Sequence, residues 1–455
     1  MMNLKALAIA AALTLLPAVA NASGSVAFER LKEYVSIDTV NPPGNESRGV
    51  KFFADILTKA GIPFDSAESA PGRGNIWAKL EGGDKPALVL LHHIDVVPAT
   101  AEKWLTDPLN PIVKDGALIG RGTLDTKALG IMHLEAFLAL AASGVPLERD
   151  VLFLATADEE AGGMMGAGWM VAEHPELFTN VGYLLNEGGL GRKGDDHEYF
   201  GIEIAQKRPN WIRLTATDTP GHGSMPRPTS AATRIIEALH RIHTQPFETR
   251  VTPKVREMFR SLAPHMNPEN RAIFADIDSA VQRPGFIEQF HAKNPMMTAL
   301  LRNTCSITML EGSQKVNVIS PTASAELDCR ILPDQDPDEF LQQIRQRVAD
   351  DSIEIERYLA FPPSESSADT PLFSILEEAL KSAYPAASTV PSVSTGFTDS
   401  HFFRDLGIVS YGFLPILVPD SDLSGIHGNN EKINIETFEN GVDIMTRVVQ
   451  KVATQ

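Results

Sequence analysis

Three apolar runs stand out along the chain: Ala87-Leu88-Val89-Leu90-Leu91, Val151-Leu152-Phe153-Leu154-Ala155 and Val181-Gly182-Tyr183-Leu184-Leu185. None alternates with polar residues, which is the pattern of strands buried on both faces of a sheet. Helical periodicity fills the gaps, over about 127–142 and 164–173. Further amphipathic helices are predicted at 25–38, 47–60 and about 436–452, and another strand at 408–414. The first two helices are separated by Thr39-Val40-Asn41-Pro42-Pro43-Gly44, a turn that neither can cross. Strands alternating with helices predict an α/β fold with a mainly parallel central sheet flanked by helices.

The ends of the strand runs change this picture from architecture to chemistry. The first releases His92-His93-Ile94-Asp95, the second Asp158-Glu159-Glu160 before Gly162-Gly163, and the third Asn186-Glu187-Gly188-Gly189. A lone acidic triplet is also what a solvated loop looks like, and a lone His at a strand end is often a satisfied polar residue. Asp125, just before the 127–142 helix, is also what an N-cap looks like. Repetition argues otherwise, because ligands of parallel sheets bind beyond the carboxyl ends of the strands. Clustered carboxylates repel and are expensive to bury, so a positive partner is expected there. His93 and Asp95 have the i, i+2 spacing of one side of an extended chain, which suits a His ligand supported by a carboxylate. His427, in the Gly-flanked loop Gly425-Ile426-His427-Gly428, is a natural last ligand. Two His, one Asp and two Glu (His93, His427, Asp125, Glu160 and Glu187) suffice for two divalent ions sharing a carboxylate. A His and carboxylate set without Cys suits Zn²⁺, with Co²⁺ or Mn²⁺ also accommodated, better than all-oxygen Mg²⁺ or Ca²⁺.

Composition sets the outer limits. The 455 residues, 43% of them hydrophobic, can bury a large core, and their number suggests two or three domains. A net charge of −18 argues against nucleic acid as a partner. Residues 1–22 have the layout of a signal peptide: Lys5, an apolar stretch from Leu7 to Leu16, and Ala20-Asn21-Ala22 as cleavage site. The expectation is export to a periplasmic or secreted location with no stable membrane anchor. Only Cys305 and Cys329 are present, both in strand-like runs (303–310 and 324–331), and antiparallel pairing of those runs would allow a disulfide.

The ordered motifs resemble the M20 family of metallopeptidases, the group of glutamate carboxypeptidase, aminoacylase-1 and the Gly-X carboxypeptidases. The residues are His93-Ile94-Asp95-Val96-Val97-Pro98, Gly120-Arg121-Gly122-Thr123-Leu124-Asp125, Asp158-Glu159-Glu160, Asn186-Glu187-Gly188 and Ile426-His427-Gly428-Asn429-Asn430-Glu431. The resemblance implies that His93 and Glu187 hold one metal, Glu160 and His427 the other, and Asp125 bridges them. Glu159 would be the general base and Asp95 the support of His93. It also implies that His222 stabilises the oxyanion, often from a dimer partner, and that Asn317, Arg330 and Gly396 contact substrate, Arg330 through its carboxylate. Phe397 departs from the common Gly-Gly-Thr-Asp pattern in Gly396-Phe397-Thr398-Asp399, which bears on the substrate pocket.

The family fold is a catalytic domain interrupted by a smaller α+β lid or dimerisation domain. Here the strand-helix rhythm changes at about Arg208, so the divisions expected are 23–207 and 361–455 for the catalytic domain and 208–360 for the lid, the latter with an inserted helical stretch over about 252–293. The expected reaction is hydrolysis of an amide bond next to a C-terminal amino acid, as in a carboxypeptidase. The alternatives are an N-acyl-amino-acid amidohydrolase and a non-catalytic metal- or peptide-binding protein. A small peptide or N-acyl amino acid is the expected substrate, and a homodimer through the lid the expected assembly.

Overall fold

The computed structural model describes residues 25–194 and 198–455; the expected leader at 1–22 lies outside them. The three apolar runs are neighbouring strands of one eight-stranded sheet. Lys85–His93 lies between Arg149–Thr156 and Val181–Lys193, parallel to both, and Val409–Pro419 adds a further parallel strand beyond Val181–Lys193. The register sets His93 beside Thr156 and Leu90 beside Leu185, so the first two strands finish side by side while Val181–Lys193 runs on past their ends.

The flanks of the sheet are not parallel. Gly74–Leu80 and Asp65–Glu68 close one edge antiparallel, and Glu198–Gln206 runs antiparallel to Val181–Lys193 and Val409–Pro419. Only a few residues join Val181–Lys193 to Glu198–Gln206, too few for a parallel crossover, so a hairpin results. Ser388–Ser394 then pairs parallel to Glu198–Gln206 at the far edge.

Period-two alternation divides each buried strand between two layers. Leu88, Leu90 and Phe153 face a core shared with the helices Val26–Val35, Lys127–Ser143 and Ile435–Ala453, whereas Val89, Leu91 and Leu154 pack with Met170, Phe178 and Phe403 on the other side. The first turns of Lys127–Ser143 are buried all round, as expected of an apolar helix crossing the middle of a layer.

Arg208–Thr217 begins a separate four-stranded antiparallel sheet with Thr304–Glu311, Thr322–Ile331 and Ile353–Ala360. The helices Ala231–Thr244 and Pro337–Val348 cover one face, burying Ile235 and Phe340 against Leu214 and Leu327. Cys305 pairs in register with Cys329, and the two form a disulfide. The helical stretch counted with this unit from its sequence packs elsewhere. Val255, Met258, Phe259 and Phe274 join the core of the large sheet, and the Val393 N–H points at Met258 Sδ at 3.3 Å. An amphipathic pattern shows that one face of a helix is buried, not what buries it.

The two sheets are joined where Lys207 and Arg208 lie buried. Lys207 Nζ donates to the carbonyls of Ala299 (2.8 Å) and Arg302 (2.9 Å) and to Thr304 Oγ1 (2.9 Å). The Arg208 guanidinium donates to the carbonyls of Phe361, Gln335 and Leu332. Where the chain passes between the units near Arg302 and again near Phe361, one of these cations satisfies its backbone.

Candidate metal centre

Two strand ends, the middle of Val181–Lys193 and two loops deliver their polar side chains to one place. His93 Nε2 is 3.2 Å from Asp125 Oδ1 and 3.6 Å from Glu187 Oε1. On the other side of Asp125, Oδ2 is 3.0 Å from His427 Nε2, which is 3.1 Å from Glu160 Oε2. Asp125 thus turns one oxygen to each imidazole, the disposition that a bridging carboxylate needs. It does not cap the helix that follows; the N-cap residue is Thr126, without a side-chain cap bond. Donor atoms of His93, Asp125 and Glu160, and likewise of His93, Glu159 and Glu187, lie within 4.8 Å of one another. His93 is 1% exposed, whereas the His427 side chain is 55% exposed and forms the open side of the cluster.

The electrostatics of the cluster suit a bound cation. Burial, followed by the charge of Glu187, pushes the Glu159 carboxyl well above the usual range. Burial and then Asp125 push Glu160 up to about 7, and burial also raises Glu187. Hydrogen bonds to Asp125 and Glu160 push His427 up to about 10. Burial disfavours the charged form of His93, yet Glu187, Asp125 and Asp95 outweigh it and hold the imidazole well above its ordinary value. Despite burial, hydrogen bonds from His427 and His93 hold the Asp125 carboxyl below its ordinary range. Charged Asp125 and the three crowded glutamates describe a site organised for a cation. The mixed nitrogen and oxygen donors, in two overlapping groups, fit two divalent ions of the zinc type.

The Asp158-Glu159-Glu160 turn is held from behind. Asp158 adopts a left-handed backbone (φ 73°), which a non-glycine residue keeps only when its surroundings enforce it. Arg73 Nη2 donates to its carboxylate at 2.6 Å and to Glu46 at 2.8 Å, and the Met165 N–H adds a bond of 3.0 Å. Gly163 (φ 71°) lies against the Asp399 carboxylate, where any side chain would collide. Asp158 is therefore an anchor rather than a donor to the cluster.

Asp95 meets the His93 imidazole through its backbone as well as its carboxylate, and holds the neighbouring turn besides. His93 Nδ1 meets the backbone carbonyl of Asp95 at 2.9 Å, closer than the carboxylate at 3.5 Å. The carboxylate accepts from Asn41 Nδ2 (2.8 Å) and from the backbone N–H groups of Glu159 and Glu160, each at 3.2 Å. It orders the turn more than the imidazole.

Beside the cluster opens a cavity of about 350 Å³, whose lining includes Glu159, Glu160, Glu187, His427, Trp211, Arg330, Gly396 and Phe397. Arg330 and Gly396 are thus in place. His222 and Asn317 are not part of this lining. They meet on an exposed two-stranded ribbon, where His222 pairs with Val318 and the Gly223 N–H donates to Asn317 at 2.9 Å.

Sequence reading gave no role to Glu431, yet it lies fully buried behind Asp125. It accepts from Arg121 Nη1 (2.6 Å) and from the backbone N–H groups of Gly122 (2.9 Å), Leu124 (2.6 Å) and Asp125 (3.0 Å). An acid four residues after His427, in a loop of Gly and Asn, was its only signal. Asn41, in the Pro-rich turn, and Asp399, whose carboxylate burial holds well above its ordinary range, were likewise missed.

The chain matches the family model described as Peptidase family M20/M25/M40 over residues 89–451. Mouse N-fatty-acyl-amino acid synthase/hydrolase PM20D1 is 28% identical over 453 residues, covering 94% of this chain and 88% of that protein. Rat aminoacylase-1B is 28% identical over 432 residues, covering 93% and 94%. In fold the chain resembles the M20 family metallo-carboxypeptidase Sso-CP2 of Sulfolobus solfataricus, with a TM-score of 0.73 at 17% identity over 94% of this chain and 99% of that one. It also resembles human carnosine dipeptidase 1, with a TM-score of 0.67 at 20% identity over 94% and 96%. The family match spans every residue of the acid and imidazole cluster, from His93 to His427: the chain belongs to peptidase family M20/M25/M40 and is a hydrolase of that family.

Proposed function

We propose that the chain hydrolyses the amide bond of an N-acyl amino acid whose carboxylate is free. The observation that carries this reading is the presence of Arg330 in the same cavity as Glu159, Glu160, Glu187 and His427. A guanidinium matches a carboxylate, so the substrate is gripped next to the bond that breaks. Curated relatives named for N-fatty-acyl amino acids and as aminoacylases favour an acyl group over a peptide, reversing the order expected from the sequence. Cleavage of a C-terminal residue from a small peptide is the second reading, favoured by a 26% identical relative from Dictyostelium discoideum named probable carboxypeptidase S-like 2.

In this mechanism His93, Glu187, Asp125, Glu160 and His427 would hold two divalent ions, with Zn²⁺ the first choice and Co²⁺ or Mn²⁺ alternatives. Bound ions of this kind acidify water and polarise a carbonyl. Glu159 takes the proton of the attacking water and returns it to the departing nitrogen. Its carboxyl is buried and lines the same cavity as Glu160, Glu187 and His427. Asp95 and Glu431 hold the ligand loops still, and Arg330 fixes the substrate carboxylate.

Two wider expectations stay with this reading. Ile307, Met309 and Leu310 are exposed on the edge strand Thr304–Glu311, and Val316 and Val318 on the segment that leads into and joins the ribbon of His222, which supports a homodimer in which this ribbon serves the partner's site. The disulfide and the leader pattern support export to an oxidising compartment.

The test is a panel of N-acyl amino acids and dipeptides with added Zn²⁺, Co²⁺ or Mn²⁺. Chelator-sensitive turnover is expected for substrates with a free carboxylate and not for their C-terminal amides. Equal turnover of the amides removes the role of Arg330, and tight binding without turnover would make the chain a binding protein.

A further inference from the structure

We propose that Trp211, Asp328 and Phe397 form a selectivity wall that admits a large apolar side chain, above all an aromatic one, on the amino acid whose carboxylate meets Arg330. This deepens the function proposed above and rests on it.

One carboxylate sets the geometry of the wall. Asp328 Oδ1 accepts the Trp211 indole N–H at 2.8 Å and Arg330 Nε–H at 2.7 Å, while Oδ2 accepts from Arg330 Nη2 at 3.1 Å. The indole and the guanidinium are therefore oriented together. Arg330 Cζ lies 5.0 Å from the centroid of the Phe397 ring, close enough for a cation–π contact. Trp211 stands edge-on to Phe397 at 6.4 Å, and both rings are backed by others, Tyr358 behind Trp211 at 6.0 Å and Phe361 behind Phe397 at 5.7 Å. Trp211, Arg330 and Phe397 all line the cavity that holds Glu159 and the cluster acids.

The chemistry follows from covalent structure. The carboxylate and the side chain of an amino acid branch from one carbon. A carboxylate bound to Arg330 therefore brings its own side chain against the rings that touch Arg330. Asp328 occupies Nε and one side of Nη2, leaving Nη1 for the incoming carboxylate. It also offsets the positive charge of Arg330 from outside the cavity lining, so a second carboxylate in the substrate side chain meets two aromatic rings and a cation already paired. Acidic side chains are rejected, and very small ones leave the rings without a partner.

The experiment measures kcat/KM of the metal-loaded enzyme for N-acetyl-Phe, N-acetyl-Leu, N-acetyl-Ala and N-acetyl-Glu, with Phe397→Gly, Phe397→Leu and Asp328→Asn as variants. N-acetyl-Phe should exceed N-acetyl-Ala by about tenfold or more in the unaltered enzyme, within the range a missing apolar group commands in a pocket. Phe397→Gly should collapse that ratio, Phe397→Leu should keep part of it, and Asp328→Asn should raise N-acetyl-Glu relative to N-acetyl-Phe. Turnover without ranking in the unaltered enzyme, or a ratio unmoved by Phe397→Gly in a sample that melts normally, overturns the wall and leaves the amidohydrolase reading standing. No turnover of any of the four overturns both.

Discussion

The Asp95 carboxylate accepts the backbone N–H of Glu159 at 3.2 Å, and so fixes the backbone of the residue assigned as proton carrier. The same carboxylate holds the Glu160 N–H, and His93 leans on the Asp95 carbonyl instead. The two N–H groups bind different oxygens, so Asp95→Asn turns a donor toward one of them. Metal affinity or kcat should fall by about 10–100-fold, the usual effect of disturbing the groups that orient ligands. Metal titration and steady-state kinetics check this, and unchanged values for both would show that the turn is held without Asp95.

Glu159→Ala separates proton transfer from metal retention. The five assigned ligands remain, so the variant should keep about two ions per chain while turnover drops by about 10²–10⁴-fold, the range of a lost general base. Elemental analysis of the same sample used for kinetics makes the comparison. Near-normal turnover in a metal-replete sample would remove the assignment.

Glu431→Gln leaves the buried Arg121 guanidinium facing a neutral partner and weakens the cradle of N–H groups behind Asp125. Breaking a buried ion pair on one side costs on the order of 3–5 kcal/mol. A lower urea midpoint is expected together with weaker metal binding. Loss of stability with metal affinity intact would make Glu431 a fold residue alone.

These residues show where sequence reading succeeds and stops. The strands ending in His93 and Thr156 are legible because a sheet buried on both faces demands unbroken apolar runs, and their donors follow because function gathers at strand ends; Glu187 lies instead within Val181–Lys193, which runs on past the glycines that the sequence offered as its end. Glu431 and Asn41 act on backbone N–H groups or side chains brought from distant segments, and no local pattern marks such partners. The polar edge strand Asp65–Glu68 carries no apolar signal. The helices from Pro253 onward are visible as helices, but their packing on the large sheet is decided by the surface available to Phe259 and Phe274. His222 and Asn317 are brought together by the fold yet kept out of the cavity lining, a relation that spacing cannot convey.

Removing the metals should give stability a characteristic pH dependence. Glu160, pushed up to about 7, and His427, pushed up to about 10, hold protons that the unfolded chain releases at about 4.3 and 6.5. Their stabilisation is complete below those unfolded values and is lost as pH rises through the folded ones. Lys127 and Lys207, which burial pushes down to about 7, act in the opposite sense in both forms of the protein, so the site is read from the difference: the melting temperature of the chelated protein should fall relative to that of the zinc-loaded protein from about pH 5 to about pH 9. A difference that does not change with pH counts against the raised proton affinities.

The disulfide closes Cys305 on Cys329 across a sequence separation of 24. Thiol titration of the unreduced, denatured protein should find no free thiol. Reduction should lower stability by about 2–4 kcal/mol, read from denaturant midpoints. Two titratable thiols would show the strands pair without the bond.

Glu159 and the cluster acids stand on the large sheet, while Arg330 and Trp211 stand on the small one, and the chain passes between them beside Lys207 and Arg208. A substrate lying between Glu159 and Arg330 is therefore measured as by a caliper whose jaws belong to different sheets. The screw is the crossing itself: loosening the grip of Lys207 or Arg208 on the surrounding carbonyls would alter the length of amino acid that fits, without touching any group that contacts it.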